Sequence, residues 1–220
     1  MVNECIFGLH VTIVVMFTLL ALRLGQSALS TTICLYAILS NMLVTKQITL
    51  LGFSVVSTDV FAVGCMLGIN LMQEYFGKES TQKTIMYSIV VSLFYVLITQ
   101  IHLLYEPSAV DIMSQHFIAL FAPMPRIIIA SIITYAIVQY SDAFLYGKIK
   151  AAFAGRFLVM RNIVSLSISQ LFDTVLFSFL GLYGIVYALA PIIIMSFSIK
   201  MLVVFCAAPF IKISRYCVKS

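Results

Sequence analysis

The stretch IVSLSISQLFDTVLFSFLGLY, residues 163–183, is a nearly unbroken apolar run long enough to cross a lipid bilayer as a helix. Asp173 sits in its middle, Gln170 precedes it by three residues on the same helical face, and Arg161-Asn162 stands where the run begins. A carboxylate near the bilayer centre costs a few kcal/mol on insertion scales, so it persists where it pairs, neutralises or lines a watery cavity. Asp173 is therefore the first pointer to a solute path.

The rest of the chain has the same character. Of 220 residues, 62% are hydrophobic and only 10% charged, and the mean hydropathy is +1.11. Soluble domains carry roughly 25% charged residues, so this chain cannot cover a globular surface with polar groups. Lipid is its solvent. Seven runs have the length of spanning helices, roughly 5–22, 28–44, 51–73, 84–104, 125–146, 162–182 and 187–211. The count falls to six if the first is a cleaved signal, although its start lacks a basic region and a clear cleavage site. The expected fold is a single all-α integral membrane bundle over 1–220, multi-pass, with no soluble module.

Lys and Arg set the orientation. Arg23, Lys78, Lys83, Lys148, Lys150, Arg156, Arg161, Lys212, Arg215 and Lys219 fall on one side, against Lys46 and Arg126 on the other, with Lys200 inside the last span. This bias predicts a cytoplasmic C-terminus and an outside N-terminus, in a cell inner membrane. It also explains the net charge of +5 without nucleic acid, because the basic residues lie in short loops and not in one stripe. Trp is absent, so Tyr146, Tyr183, Tyr187 and Tyr216 at span ends are the expected interfacial aromatics. Gly64-x-x-x-Gly68 predicts close approach of a second helix to the third span.

Enzyme chemistry finds no support. The five cysteines and three histidines are scattered, without ligand spacing for a metal, and no phosphate-binding or nucleophile motif is present. No cofactor is called for, and the chain carries no ATP site of its own. A membrane enzyme using Asp173 as a base would need a recognisable partner for it. A mere anchor would need no acids and amides within its spans.

Those polar residues follow faces. Asp59 and Asn70 on the third span, eleven residues apart, point the same way about 16 Å apart, and Glu74 continues the stripe. The fifth and sixth spans repeat Q-x-x-D-x-x-L-aromatic, as Gln139 to Tyr146 and Gln170 to Phe177. Asp142 lies near a span end, where Lys148 or Lys150 can meet it. Asp173 and Lys200 lie at similar depth, about 18 and 16 Å from the expected cytoplasmic ends of their spans, and an ion pair between them is expected. Whether that pair is structural or yields to a solute is open at this level. Arg126, after Met124-Pro125, opens the fifth span.

In order and spacing, Met124-Pro125-Arg126, Gln139-x-x-Asp142, Arg161-Asn162, Ser169-Gln170-x-x-Asp173-Thr174, Glu74-Tyr-Phe-Gly77-Lys78 and the late Lys200 resemble the queuosine precursor transporters, also called vitamin uptake transporters. The likeness runs from about Asn41 to Arg215, and the Ser-Gln-x-x-Asp-Thr segment is its most specific part. It departs at Ile69-Asn70, where the family usually has Thr-Asp, at Asp59, where Asn is common, and at Ala207, near which the family often has an acid. The resemblance implies uptake of a 7-deazaguanine (preQ0, preQ1 or queuine) for tRNA queuosine, by a bundle similar to the substrate-binding subunits of energy-coupling-factor transporters. The alternative is a binding subunit for another vitamin or nucleobase that needs a separate energising module. Homo-oligomers are compatible with either.

A guanine-like edge offers two N–H donors beside a carbonyl, which a carboxylate and a side-chain amide complement. The candidate substrate residues are accordingly Asp173 and Gln170, with Asn162, Asp142, Gln139, Asp59, Asn70 and Glu74 along the path. Phe172, Phe177 and Tyr135 are candidate stacking faces, and Arg161, Arg126 and Lys200 are assigned to hold carboxylates.

Overall fold

A computed structural model describes residues 2–43, 46–50, 52–121, 125–153, 156–183, 189–211 and 214. Its helices are α1 (Val2–Leu24), α2 (Gln26–Met42), α3 (Asp59–His102), α4 (Ser114–Phe121), α5 (Pro125–Ala152), α6 (Leu158–Phe177) and α7 (Leu189–Ile211), with the hairpin β1 (Gln47–Leu50) and β2 (Phe53–Val56) before α3. A π-helical turn, Ser178–Leu182, extends α6. The protein is an all-α bundle of membrane type. Val2–Leu24, Asp59–His102 and Leu158–Gly181 are long and apolar enough to cross a membrane. Apolar side chains cover their outer faces, among them Ile13, Leu20, Phe94, Leu97 and Leu171, as lipid exposure requires.

The start of the third span differs most from the sequence reading. The third span was expected from residue 51, but the helix starts at Asp59. Gln47–Leu50 and Phe53–Val56 instead pair as an antiparallel hairpin, Gln47 opposite Val56 and Leu50 opposite Phe53. The β-branched residues Ile48, Thr49, Val55 and Val56 favour strands, and Gly52, at φ +84°, takes the positive φ of a tight turn. Asp59 then lies in the first turn of α3, where the helix dipole favours its negative charge.

The third and fourth spans are also joined more closely than expected. A single residue, Gly77, at φ +84° and ψ 174°, breaks α3 into arms 59–76 and 78–102, so the basic segment at Lys78–Lys83 is helical and no loop intervenes. The second arm leans on α2 and α5: Thr84 donates to Ser30 Oγ at 3.2 Å, and the Tyr135 hydroxyl to Ser88 Oγ at 2.9 Å. Between the expected fourth and fifth spans, Ser114 opens the short helix α4. Asp111 ties down its entry, accepting the backbone N–H of Met113 at 2.7 Å and of Ser114 at 3.2 Å. The Ser114 hydroxyl, followed by these amides, holds the Asp111 carboxyl below its usual range.

The GxxxG expectation is met in detail. A Cβ on Gly64 would lie 2.7 Å from Val14 of α1 and 3.2 Å from the Tyr36 ring of α2, and one on Gly68 would lie 2.7 Å from Ile33 of α2. Cys65 joins the same contact by donating its thiol to the Ile33 carbonyl. Tyr36 closes the corner, its hydroxyl donating to the Val14 carbonyl at 2.8 Å. The first arm of α3 thus packs tightly on α1 and α2 with its glycine face. Its opposite face, about 200° away, carries Asp59, Met66, Asn70 and Glu74. That face turns to α5, α6 and α7.

Candidate functional site

Contacts along this polar face fix the helix directions. Glu74 meets Arg161, Met66 meets Gln170, and Asp59 shares Lys200 with Asp173, so α6 runs antiparallel to the first arm of α3. Asp142 meets Ser165 and Ser169, while Tyr146 meets Glu74, so α5 runs parallel to that arm. The polar side chains of α3, α5 and α6 therefore stack in layers between a Glu74 end and an Asp59 end. The two ends are about 22 Å apart along α3 at 1.5 Å per residue.

At the Glu74 end the carboxylate is fully engaged. Arg161 is fully buried and grips both oxygens of Glu74, Nη1 to Oε2 at 3.0 Å and Nη2 to Oε1 at 3.1 Å. This fork is the strong, planar form of an Arg–carboxylate pair. The Tyr146 hydroxyl donates to Glu74 Oε2 at 3.1 Å, and Lys150 Nζ lies 3.2 Å from the same oxygen. Asn162 adds a donor to the Tyr146 oxygen at 3.3 Å and another to the Leu158 carbonyl at 3.0 Å. Glu74, expected beside the substrate, is thus engaged by three side chains. Tyr146, expected at an interface, is buried. Lys150, expected with Asp142, is on Glu74, and Lys148 lies over the Phe144 ring.

The middle layers are different. Asp142 is fully buried and takes its hydrogen bonds from Ser165, at 3.0 Å, and Ser169, not from lysine. Gln170 is fully buried and donates Nε2 to the Met66 sulfur at 2.9 Å. Asn70 and Gln139 are fully buried, and both amide atoms of each lack a hydrogen-bond partner among the described residues. Gln170 Oε1, Asn162 Oδ1 and Asp142 Oδ2 are unpartnered as well. Each such atom costs about 1–3 kcal/mol when left unbonded. Their concentration here, between the two charged ends, makes these layers the candidate ligand site.

At the Asp59 end, Lys200 of α7 contacts Asp173 Oδ2 and lies 3.9 Å from Asp59 Oδ1. The expected Asp173–Lys200 pair is present, and Asp59 joins it from α3. The aromatic expectations fare less well. Phe172 is half exposed on the outer face of α6, and the Tyr135 hydroxyl is turned to Ser88 on the second arm of α3. Arg126 stands in the first turn of α5, and its side chain lies outside the described residues. Asn41, where the family likeness begins, accepts a hydrogen bond from Ser131 at 2.8 Å and ties α2 to α5.

Sequence reasoning overlooked Met66, Ser165, Tyr146 and Lys150 as parts of this interior. The signal was periodicity: Gln139, Asp142, Tyr146 and Lys150 recur on one face of α5, as Met66, Asn70 and Glu74 do on α3.

A helical membrane bundle with a dry glycine seam on one side of α3 and a polar interior on the other has the architecture of a small-solute transporter. The family described as "putative vitamin uptake transporter" matches residues 57–214, and the chain belongs to that family. Among curated proteins it is similar to the "probable queuosine precursor transporter" of Bacillus subtilis (strain 168), with 28% identity over 163 residues, 72% of this chain and 71% of that protein. No solved structure matches. The matched region contains every candidate site residue named above.

Proposed function

We propose that this protein imports a queuosine precursor, a 7-deazaguanine such as preQ0, preQ1 or queuine, that feeds tRNA modification. The observation that carries the reading is the set of buried, unpartnered amide and carboxylate atoms on Asn70, Gln139, Asp142, Asn162 and Gln170. A deazaguanine presents donors and acceptors side by side on one flat edge. Amides that both donate and accept, next to a carboxylate that only accepts, complement that edge. Gln139 and Gln170 read it, with Asp173 a turn away along α6, while Asn70, Asp142 and Asn162 line the path towards Glu74. Arg161 and Lys200 hold carboxylates. The printed name of the Bacillus relative supports the same substrate class.

In this reading the chain is one transmembrane domain, 1–220, with seven spans in the cell inner membrane, the two arms of α3 counting as separate spans. The N-terminus is outside and the Glu74 end faces the cytoplasm, as the distribution of Lys and Arg supports. The bundle is similar in kind to the substrate-binding subunits of energy-coupling-factor transporters.

Uptake of labelled preQ1 or queuine by cells that lack their own carrier tests the substrate. No gain of uptake, with the protein present in the membrane, refutes it. Purified protein in liposomes tests the energetics, since transport there excludes an obligatory second module.

A further inference from the structure

We propose that Asp59 and Asp173 form an ammonium subsite, which Lys200 partly fills, and that the protein selects deazaguanines bearing a protonated side-chain amine over neutral ones. The inference rests on the deazaguanine reading above and adds a second point of recognition to it.

Charge bookkeeping starts the argument. Two carboxylates, Asp59 on α3 and Asp173 on α6, share one lysine, and the three side chains are only 13, 17 and 7% exposed. The lysine is in contact with Asp173 but 3.9 Å from Asp59, beyond hydrogen-bond length. Asp59 lies in the first turn of α3, where the helix dipole favours its charged form. The cluster therefore carries one formal negative charge more than its lysine balances, in a largely desolvated place. Such an excess is costly unless another cation joins it. Of the titratable side chains of α1, His10 packs edge-on against the Phe61 ring, two residues from Asp59.

Geometry links this excess to the ligand site. Gln170, fully buried and with Oε1 unpartnered, precedes Asp173 by three residues on α6, about 4.5 Å of axial rise. Gln139 lies three residues before Asp142, which spans Ser165 and Ser169, so its unpartnered amide sits level with Gln170. A flat base held between these two amides points any short substituent on its far edge along the bundle axis at the carboxylate pair. An aminomethyl group carries a full positive charge there. A nitrile carries none and gives the acids nothing to accept. At the opposite end of the site no such excess exists, because Arg161 and Lys150 both meet the single carboxylate of Glu74.

The test compares two bases of the same size, preQ1 with its aminomethyl group and preQ0 with its nitrile. Binding to the purified protein in detergent is measured by competition against labelled preQ1. We expect wild type to prefer preQ1 by at least about tenfold, the scale of one charge-assisted hydrogen bond. Asp173→Asn and Asp59→Asn should each narrow that ratio by lowering preQ1 affinity more than preQ0 affinity. Equal affinities of wild type for the two bases, or a preference for preQ0, overturns the subsite and leaves the deazaguanine reading standing. Binding of neither base removes both. The wild-type ratio alone decides the matter if a variant does not fold.

Discussion

Arg161→Met should unfold more easily than any other single change at the Glu74 end. The guanidinium is fully buried and makes two hydrogen bonds, 3.0 and 3.1 Å, to the two oxygens of Glu74. Removing one partner of a buried ion pair costs about 3–5 kcal/mol, because the other charge is left behind. Glu74 retains Lys150 at 3.2 Å and Tyr146 at 3.1 Å, and its side chain is 17% exposed. The loss therefore belongs at the low end, about 3 kcal/mol. Met keeps the apolar stem, so packing is not the main change. Glu74→Gln combined with Arg161→Met removes both charges and should recover part of the loss, with a coupling of about 1–3 kcal/mol. Arg161→Lys keeps the charge without the fork and should fall between. The chain has no Trp, so unfolding is best followed by far-ultraviolet circular dichroism during titration of mixed micelles with dodecyl sulfate. If Arg161→Met lies within about 1 kcal/mol of wild type, or the double variant equals the sum of its parts, the pair does not hold this end together.

Asn70→Leu and Gln139→Leu should separate function from stability. Each exchanges a buried amide without partners for an apolar side chain of similar size, so stability should stay within about 1 kcal/mol or rise, while deazaguanine uptake falls sharply. A large loss of stability in the same unfolding titration would show that these amides hold the fold. Gly68→Val should destabilise by about 1–3 kcal/mol, because its Cβ would lie 2.7 Å from Ile33; a stable variant contradicts the close packing of α2 on α3. Gly77→Ala should cost about 1 kcal/mol or more through its φ of +84°, with open space around the new methyl group, and an unchanged melting temperature would place the break elsewhere.

The sequence carried the apolar runs, the tight glycine face and the Asp173–Lys200 pair, because each depends on quantities a sequence states: run length, helical period and depth. It misplaced the start of α3, since Val55 and Val56 are as apolar as a helix needs and hydropathy alone does not separate strand from span. It left a loop where Gly77 makes a one-residue break, because the polar residues on either side resemble a connection between helices. Partner choice was the hardest to read. Asp142 has lysines six and eight residues away in sequence, yet takes serines from α6; Lys150 reaches across to Glu74, which is 76 residues earlier. Such pairings depend on the relative rotation of α3, α5 and α6, which local periodicity constrains only to a face.

The two faces of the first arm of α3 differ in what separation would cost. On the glycine side, parting the helix from α1 and α2 opens a gap between close-packed apolar atoms, with nothing to replace their contacts. On the polar side, parting it from α5 and α6 exposes amides and carboxylates that water or a solute can satisfy immediately. The arm thus resembles a door glued along one edge and merely latched along the other. The polar seam is therefore the side on which a solute can be admitted at the smaller loss of packing.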